Sequence, residues 1–410
     1  MVSRFRAQTG HPLTLAAAAI ILILALLLII SDQSRVFPYP PPVAQSTSLM
    51  ILQEVAVQGG QFPNLEDFWS GLASFTVDVP DTGLPMGESE TLAMANGELW
   101  SYVHASDRSA GVIDQCGDPV EFPGCMVIYK SRDGGVSFTL DEQVCQVACN
   151  QCPCEADRDH HVQQQYPRLM LDETNQTVWG VYEYLGRPMV RQSRDGLSWG
   201  QPQRVNRAGL WSSLEGCGPA EKINSHPFAL INTEQCLAGG PPGIWIEDET
   251  VYIFVGLGQS PGGLGCFVGR VDQQPGAFQR CRSNPLLTGS PTYGPLDLSG
   301  VEANPYWNYR MLSSATVDKI GSQYYMLYEG IRGPGRGDPG DTQFGIGLAR
   351  TIEGKIDGAW EQYPLNPIIL DLPANIGAGH ADIVVLEGIT YLYTSLDGVT
   401  RSRLRLEWDR

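Results

Sequence analysis

Beyond a proline-rich segment near residue 40, one pattern of hydrophobic and polar positions recurs five times along the chain. Each repeat begins with an alternating or apolar strand, continues through a turn rich in Gly, Asp or Asn, and proceeds to an aromatic-rich second strand and a third strand. The second strands are predicted at 99–104, 177–184, 250–255, 323–329 and 390–394. Five short β units of this kind predict an all-β fold, a five-bladed β-propeller.

A turn phrase recurs within this pattern, as Ser131-Arg-Asp-Gly-Gly-Val-Ser-Phe138 and as Ser193-Arg-Asp-Gly-Leu-Ser-Trp199. Asp-Gly is a strong hairpin signal, because tight hairpin turns require positive φ angles. The Ser and Asp side chains can bond the turn backbone, and the aromatic residue can fill the space beneath it. The two phrases therefore predict structural turns at the same place in successive blades.

The fifth repeat ends after its third strand, which leaves one strand missing from the ring. The early segment 73–78 has the composition of a strand, and we expect it to complete the last blade. A short helical turn is predicted just before it, at 65–69.

The N-terminal region has a separate organisation. From Leu13 to Ile30 only Thr14 is polar, and Arg4 and Arg6 precede this stretch. Its length and its positive flank predict a single transmembrane signal anchor at 13–30, with residues 1–12 in the cytoplasm. A Pro-rich stalk at 31–60 would then carry the propeller, residues 61–410, outside the cytoplasm. A cleaved signal peptide is the alternative.

The ten cysteines all follow the predicted anchor, and their number is even. Disulfides are therefore expected, with local pairs such as Cys116–Cys125, Cys217–Cys236 and Cys266–Cys281. The alternative is zinc binding by the cluster Cys145–Cys154 with His160 and His161, but that cluster lacks the paired spacing of structural zinc sites.

The net charge is −18, and charged residues make up 18% of the chain. Nucleic acids and anionic lipids require a basic protein face, so this balance argues against a nucleic-acid partner. The membrane contact that we do expect is through the N-terminal anchor.

Candidate site residues lie where the innermost strands begin, because these strands line the channel of a propeller and converge at one mouth. They are Glu88, Glu90, Arg168, Glu215, His226, Ser313, Ser314, His380 and Asp382.

The C-terminal phrases Tyr324–Gly330, Ile346–Arg350, Trp360–Ile368 and Gly379–Val385 resemble the fourth and fifth blades of the five-bladed glycosidases of glycoside hydrolase families 43, 32 and 130. The resemblance covers about 85–407 and implies a glycoside hydrolase-like protein that acts on extracellular or cell-surface carbohydrate. Such chemistry needs a carboxylate and a carboxylic acid on either side of the glycosidic bond.

The resemblance implies roles for individual residues. Glu88 or Glu90 would act as base or nucleophile, and Glu215 as acid. Substrate or cation binding would fall to Arg168, His226, Ser314, His380 and Asp382. Because His380 matches a histidine that sits near a channel cation in family 43, Ca²⁺ in the channel is the cofactor to test; the residues themselves define no metal ligand set.

One departure from that family leaves alternatives open. Tyr166-Pro-Arg168 occupies the place of the second-blade aspartate. A non-catalytic propeller that binds glycan or protein is therefore the second hypothesis, and a purely structural cell-surface protein is the third. The Asp-Gly phrases also resemble the Asp-boxes of sialidases, and a sialidase-like exo-glycosidase would use arginines such as Arg168, Arg310 and Arg332 to hold a substrate carboxylate.

Overall fold

The computed structural model describes thirteen stretches of the chain: 62–85, 89–94, 96–104, 125–145, 165–184, 187–200, 203–206, 241–258, 261–292, 306–332, 343–370, 380–396 and 399–409. The chain divides into two compact units, Met1–Thr47 and Ser48–Arg410, and every described residue belongs to the second.

The described residues form one short α-helix, one 3₁₀ turn (Pro275–Ala277) and 22 strands in five antiparallel sheets. Helix α1 (Leu65–Trp69) and strand β1 (Ala73–Val79) come first. Blade 1 contains β2 (Ser89–Ala93), β3 (Leu99–His104), β4 (Cys125–Ser131) and β5 (Thr139–Cys145). Blade 2 contains β6 (Gln165–Asp172), β7 (Thr177–Tyr184), β8 (Arg187–Ser193) and β9 (Gln203–Arg204).

Blade 3 contains β10 (Gly243–Glu247), β11 (Thr250–Leu257), β12 (Gly263–Arg270), β13 (Gln279–Arg280) and β14 (Leu287–Thr288). Blade 4 contains β15 (Met311–Ile320), β16 (Gln323–Arg332), β17 (Gln343–Thr351), β18 (Trp360–Gln362) and β19 (Ile369–Leu370). Blade 5 contains β20 (Asp382–Leu386), β21 (Ile389–Thr394) and β22 (Ser402–Trp408), to which β1 adds the outer strand.

The five first strands form a closed ring around a central channel. Strand β2 neighbours β6 and β20, β10 neighbours β6 and β15, and β15 neighbours β20. The prediction of a five-bladed β-propeller is confirmed.

The ring is closed by an N-terminal strand, as predicted. Strand β1 runs antiparallel to β22, with Ala73 opposite Trp408 and Val77 opposite Leu404. The first strand of the domain therefore completes the last blade, and its loss would leave the edge of β22 unpaired.

Helix α1 fixes the start of the closing strand. The Asn64 side chain accepts hydrogen bonds from the backbone N–H groups of Glu66 (2.9 Å) and Asp67 (3.2 Å), and Asp67 in turn accepts from the backbone N–H of Asn64. This capping box satisfies N–H groups that the first turn of a helix leaves free. Leu65 is fully buried in a hydrophobic cluster with residues of blades 4 and 5.

The core lies between adjacent blades, where the faces of neighbouring sheets meet. Between blades 3 and 4 the cluster includes Phe254 of β11 and both Met326 and Tyr328 of β16, with Trp307 packed at a centroid distance of 5.6 Å from Tyr328. Such face-to-face burial of aromatic and aliphatic side chains holds the blades together.

The two Asp-Gly phrases form turns between the third and fourth strands of blades 1 and 2. Asp133 accepts from the backbone N–H of Ser137 (3.0 Å) and from the Ser131 hydroxyl (2.7 Å). Asp195 accepts from the backbone N–H groups of Leu197 (2.9 Å) and Ser198 (2.6 Å). Both aspartates therefore have structural roles at the blade periphery.

One of the three predicted disulfides lies wholly within the described residues. Cys266 of β12 and Cys281 are bonded, with their Cα atoms 5.4 Å apart. Cys116, Cys217, Cys236 and most of the Cys/His cluster, from Cys149 to His161, lie outside the described residues.

Within the described stretches, no helix combines the length and the apolar character needed to cross a membrane. The predicted anchor at 13–30 and the stalk at 31–60 lie outside these stretches.

Candidate functional site

The predicted convergence at the channel mouth is present in the structure. The residues of the predicted set that the structure describes lie at the beginnings of β2, β6, β15 and β20; they are Glu90, Arg168, Ser313, Ser314, His380 and Asp382. Glu88, Glu215 and His226 lie outside the described residues.

The centre of this mouth is occupied by Arg168. Its Nη1 donates to the carbonyl oxygen of Ser89 (3.0 Å) and to Glu90 Oε2 (3.2 Å). Its Nη2 donates to Ser314 Oγ (2.7 Å) and to the carbonyl oxygen of Ala381 (2.6 Å). A side chain of blade 2 thus crosses the channel and binds blades 1, 4 and 5 together.

Two irregular strands bring this contact about. The pairing register shifts between Gln165 and Arg168 in β6, and between Ser313 and Thr316 in β15. Tyr166 and Ser314 have φ angles of 54° and 50° at these points. A bulge re-aims the side chains around it, and here both bulges accompany side chains that meet at the channel mouth.

A second buried arginine, Arg401, lies beside the first blade. Arg401 donates to Ser89 Oγ, to the carbonyl oxygen of His380 and, at 3.0 Å, to that of Tyr393. Burial lowers its pKa to about 10, because the charged guanidinium loses water. The sequence reasoning missed this residue, since Arg401 lies between strands in an otherwise ordinary stretch.

Two carboxyl groups at the mouth lie within the field of these arginines. The Asp382 carboxyl accepts a hydrogen bond from Thr91 Oγ1 at 2.7 Å, and Glu90 pairs with Arg168. Burial raises the pKa of both Glu90 and Asp382, and the arginines oppose this rise. The Glu90 side chain keeps 13% of its surface exposed, which makes it accessible from the mouth.

A third carboxyl group at the mouth comes from the second strand of blade 4. Glu329 accepts a hydrogen bond from Ser313 Oγ at 2.7 Å, and its Oε1 lies 3.8 Å from His380 Nε2. Burial raises the pKa of Glu329 to about 7 and lowers that of His380 to about 3. Near neutral pH His380 is therefore neutral, and any charge of the pair is the single negative charge of Glu329.

Glu329 is not among the residues predicted for the site. A signal for it does exist: Tyr182-Glu183 and Tyr328-Glu329 stand at the same point of the second strands of blades 2 and 4. Both glutamates are 1% exposed. Acidic residues repeated at a buried position point to the channel mouth rather than to solvent.

An aromatic pair completes the described part of the mouth. The rings of Tyr166 and His380 are stacked, with centroids 5.8 Å apart and planes at 11°. The His380 side chain retains 15% exposure. These two rings present a flat, partly polar surface beside Glu329.

Among the described residues, no group of three or more His, Cys, Asp or Glu side chains is arranged to hold a metal ion. The described acids at the mouth are occupied by Arg168, Thr91 and Ser313. The Ca²⁺ suggested by the family resemblance therefore finds no described ligand set, and we derive no chemistry from it.

Solved glycosidases have a similar fold. A candidate glycosidase from Bacteroides thetaiotaomicron VPI-5482 matches with a TM-score of 0.50 and 12% identity, over 85% of this chain and 99% of that one. A glycosyl hydrolase from Bacteroides ovatus matches with a TM-score of 0.49 and 11% identity, over 88% and 99%. A thermostable family-43 glycoside hydrolase matches with a TM-score of 0.47 and 15% identity, over 82% and 94%.

The resemblance to five-bladed glycosidases that the sequence indicated is confirmed at the level of fold. No family model and no curated protein matches the chain by sequence.

Proposed function

We propose that the protein is a glycoside hydrolase-like enzyme that acts on extracellular or cell-surface carbohydrate at the channel mouth. The observation that carries this proposal is the meeting of three buried carboxyl groups, Glu90, Glu329 and Asp382, around Arg168 at one end of the channel. Acids with raised pKa values concentrate at functional sites. The fold shared with a candidate glycosidase supports the same substrate class.

Glu90 remains our candidate for base or nucleophile. It is the partly exposed acid of the three; burial raises its pKa to about 8, Arg168 opposes this rise, and the group can act as a base once it is ionised. Glu329, with a pKa of about 7, can hold a proton near neutral pH and is suited to supply one to a leaving oxygen through the mouth. Glu88 and Glu215 lie outside the described residues, and their roles as base and acid stay predictions.

The test is hydrolysis of aryl glycosides and oligosaccharides by the full chain in a non-ionic detergent, with arabinosides, xylosides, fructosides, mannosides and sialosides in the panel. The Glu90→Gln variant should lose about 100-fold or more of the activity. The matched control is Glu353→Gln, since that side chain is 69% exposed and far from the mouth in the fold. If the folded wild-type chain hydrolyses no member of the panel, the proposal of glycoside hydrolase activity is contradicted.

A specific observation favours a second candidate, a propeller that binds glycan without hydrolysis. Arg168 fills the centre of the mouth, where the related enzymes have an aspartate, and its hydrogen bonds are directed at the protein itself. This engagement also weakens the sialidase alternative, because a substrate carboxylate needs an available guanidinium. Glycan-array binding by a hydrolytically inactive chain would favour this second candidate.

We also propose that the propeller lies outside the cytoplasm, tethered by the anchor at 13–30. The apolar stretch supports the tether, and the Cys266–Cys281 disulfide supports an oxidising compartment. The full chain should sediment with membranes and be digested by protease added to intact cells. A chain that lacks residues 1–30 should appear in the soluble fraction, and a full chain found there would contradict the tether.

A further inference from the structure

Below Arg168 the channel encloses a cavity of about 230 Å³. Residues of all five innermost strands line it, so it is the interior of the channel itself. Its wall is mixed: charged side chains, Glu90, Arg168 and Asp318 among them, alternate with apolar ones, which include Leu92, Met170, Ile244, Val317, Ile383 and Val385. A concave space in which apolar side chains surround specifically placed polar groups is the usual form of a small-molecule site.

One carboxylate, that of Asp318, lies in this wall without a cation beside it. Asp318 is partly buried on β15 and accepts a hydrogen bond from the backbone N–H of Lys319. In the described stretches, no Lys or Arg forms an ion pair with Asp318. The ammonium of the neighbouring Lys319 pairs with Glu247 instead. Burial raises the pKa of Asp318 to about 6, so the group is ionised at neutral pH despite its surroundings.

The other charges of the cavity do not neutralise Asp318. Arg168 at the upper end is already paired with Glu90. Glu173 at the lower rim is exposed and adds a second negative charge. Trp245 contributes an aromatic side chain to the same wall, and aromatic faces attract cations. The lower cavity therefore combines apolar side chains with two acidic residues, Asp318 and Glu173.

We propose that this cavity binds a small organic cation, a primary ammonium with a short apolar body. The ammonium would bind the Asp318 carboxylate, and the apolar body would pack against the strand residues above it. A bare Ca²⁺ ion needs six to eight oxygen ligands, whereas an ammonium is satisfied by one carboxylate and an aromatic or apolar wall. Glu90, proposed above as base or nucleophile, also lines this cavity at the Arg168 end, whereas Glu329 and Asp382 do not line it and Asp318 lies further along the channel on β15.

The test is isothermal titration of the full chain in non-ionic detergent, with a detergent blank, using three probes of the same shape. Butylammonium is the cation, butanol the neutral analogue and butyrate the anion. We expect butylammonium to bind about tenfold or more tightly than butanol, because a charge-assisted hydrogen bond to a carboxylate is among the stronger polar contacts. Butyrate should not bind.

Variants locate the site. Asp318→Asn keeps the shape of the side chain and should reduce butylammonium binding to the level of butanol, while Glu353→Gln should leave it unchanged. If Asp318→Asn does not fold, the wild-type pH dependence replaces it. Butylammonium affinity should fall as the pH drops below about 6, since Asp318 then takes up a proton while an alkylammonium keeps its own.

Equal affinities for butylammonium and butanol would overturn the proposal, because the cavity would then select only for apolar bodies. The absence of binding by all three probes would overturn it as well. So would a site that binds Ca²⁺ but not butylammonium and that loses its Ca²⁺ binding in Asp318→Asn.

Discussion

Arg168 Nη2 donates a hydrogen bond to Ser314 Oγ at 2.7 Å across the centre of the ring, joining blade 2 to blade 4. The two residues are 146 positions apart in the chain. The same guanidinium reaches blades 1 and 5, so one polar side chain joins four blades at the centre of the channel mouth.

Substitution of Arg168 by Met should strongly destabilise the propeller. The change leaves the Glu90 carboxyl, Ser314 Oγ and two carbonyl oxygens buried without their donor, and losing one member of a buried charged network costs about 3–5 kcal/mol. Urea denaturation followed by tryptophan fluorescence measures this loss.

The matched control for that change is Arg132→Met. Arg132 also pairs with a glutamate, Glu98, but 76% of its side chain is exposed, and exposed pairs contribute little to stability because water screens them. Equal stability of Arg168→Met and Arg132→Met would show that Arg168 does not hold the blades together.

The pH dependence of hydrolysis should reveal the state of Glu90. If Glu90 is the base, activity requires its ionised form and therefore rises with pH. Because burial raises the pKa of Glu90, the midpoint of this rise in kcat/KM should lie well above 4.5. A midpoint at or below 4.5, or activity that only falls as the pH increases, would exclude Glu90 as the base.

Glu329 should make the protein less stable as the pH rises from 4.5 to about 7. Its folded-state pKa is raised from 4.5 to about 7, so the unfolded chain releases a proton in this window while the folded chain keeps it. The stability that protonated Glu329 contributes to the fold is fully present below pH 4.5. On the order of 3 kcal/mol of this stability is lost by about pH 7.

The measurement is the free energy of unfolding of wild type and Glu329→Gln across this pH range. Wild type should lose stability relative to the variant as the pH increases, because the amide that replaces the carboxyl group does not titrate. If the free energies of unfolding of wild type and Glu329→Gln change with pH in parallel, Glu329 is not held protonated in the folded protein.

Leu65→Ala should weaken the closure of the ring. Leu65 is fully buried against blades 4 and 5, and truncation of a buried leucine costs about 2–5 kcal/mol. Leu72→Ala is the control, because Leu72 is 54% exposed and such changes usually remain within about 0.5 kcal/mol. Thermal unfolding of both variants checks the difference, and a small effect of Leu65→Ala would show that α1 does not contribute to the closure.

Most of the architecture could be predicted from local patterns. The predicted second strands agree closely with the structure, as in 177–184 for Thr177–Tyr184, because hydrophobic runs and turn residues act over short distances. The prediction of a closing strand at 73–78 is also confirmed, since a ring with a missing strand must take one from elsewhere in the chain.

The site could be predicted only in outline. The sequence placed Glu90, Arg168, Ser314, His380 and Asp382 at one mouth, because strand order alone brings the starts of the inner strands together. Their partners could not be predicted in the same way. Arg401 bonds Ser89 from 312 residues away, and no local pattern marks such a contact.

Local patterns in the chain thus establish the five repeats, their turns, the strand that closes the ring and the end of the channel where ionisable residues gather. Folding into the closed ring selects which of those residues engage one another: Arg168 with three other blades, Glu329 with Ser313 and His380, and Asp318 with no cation among the described residues. Strands and turns follow from interactions between near neighbours, whereas the charge state and accessibility of a buried group depend on every side chain that the ring packs around it.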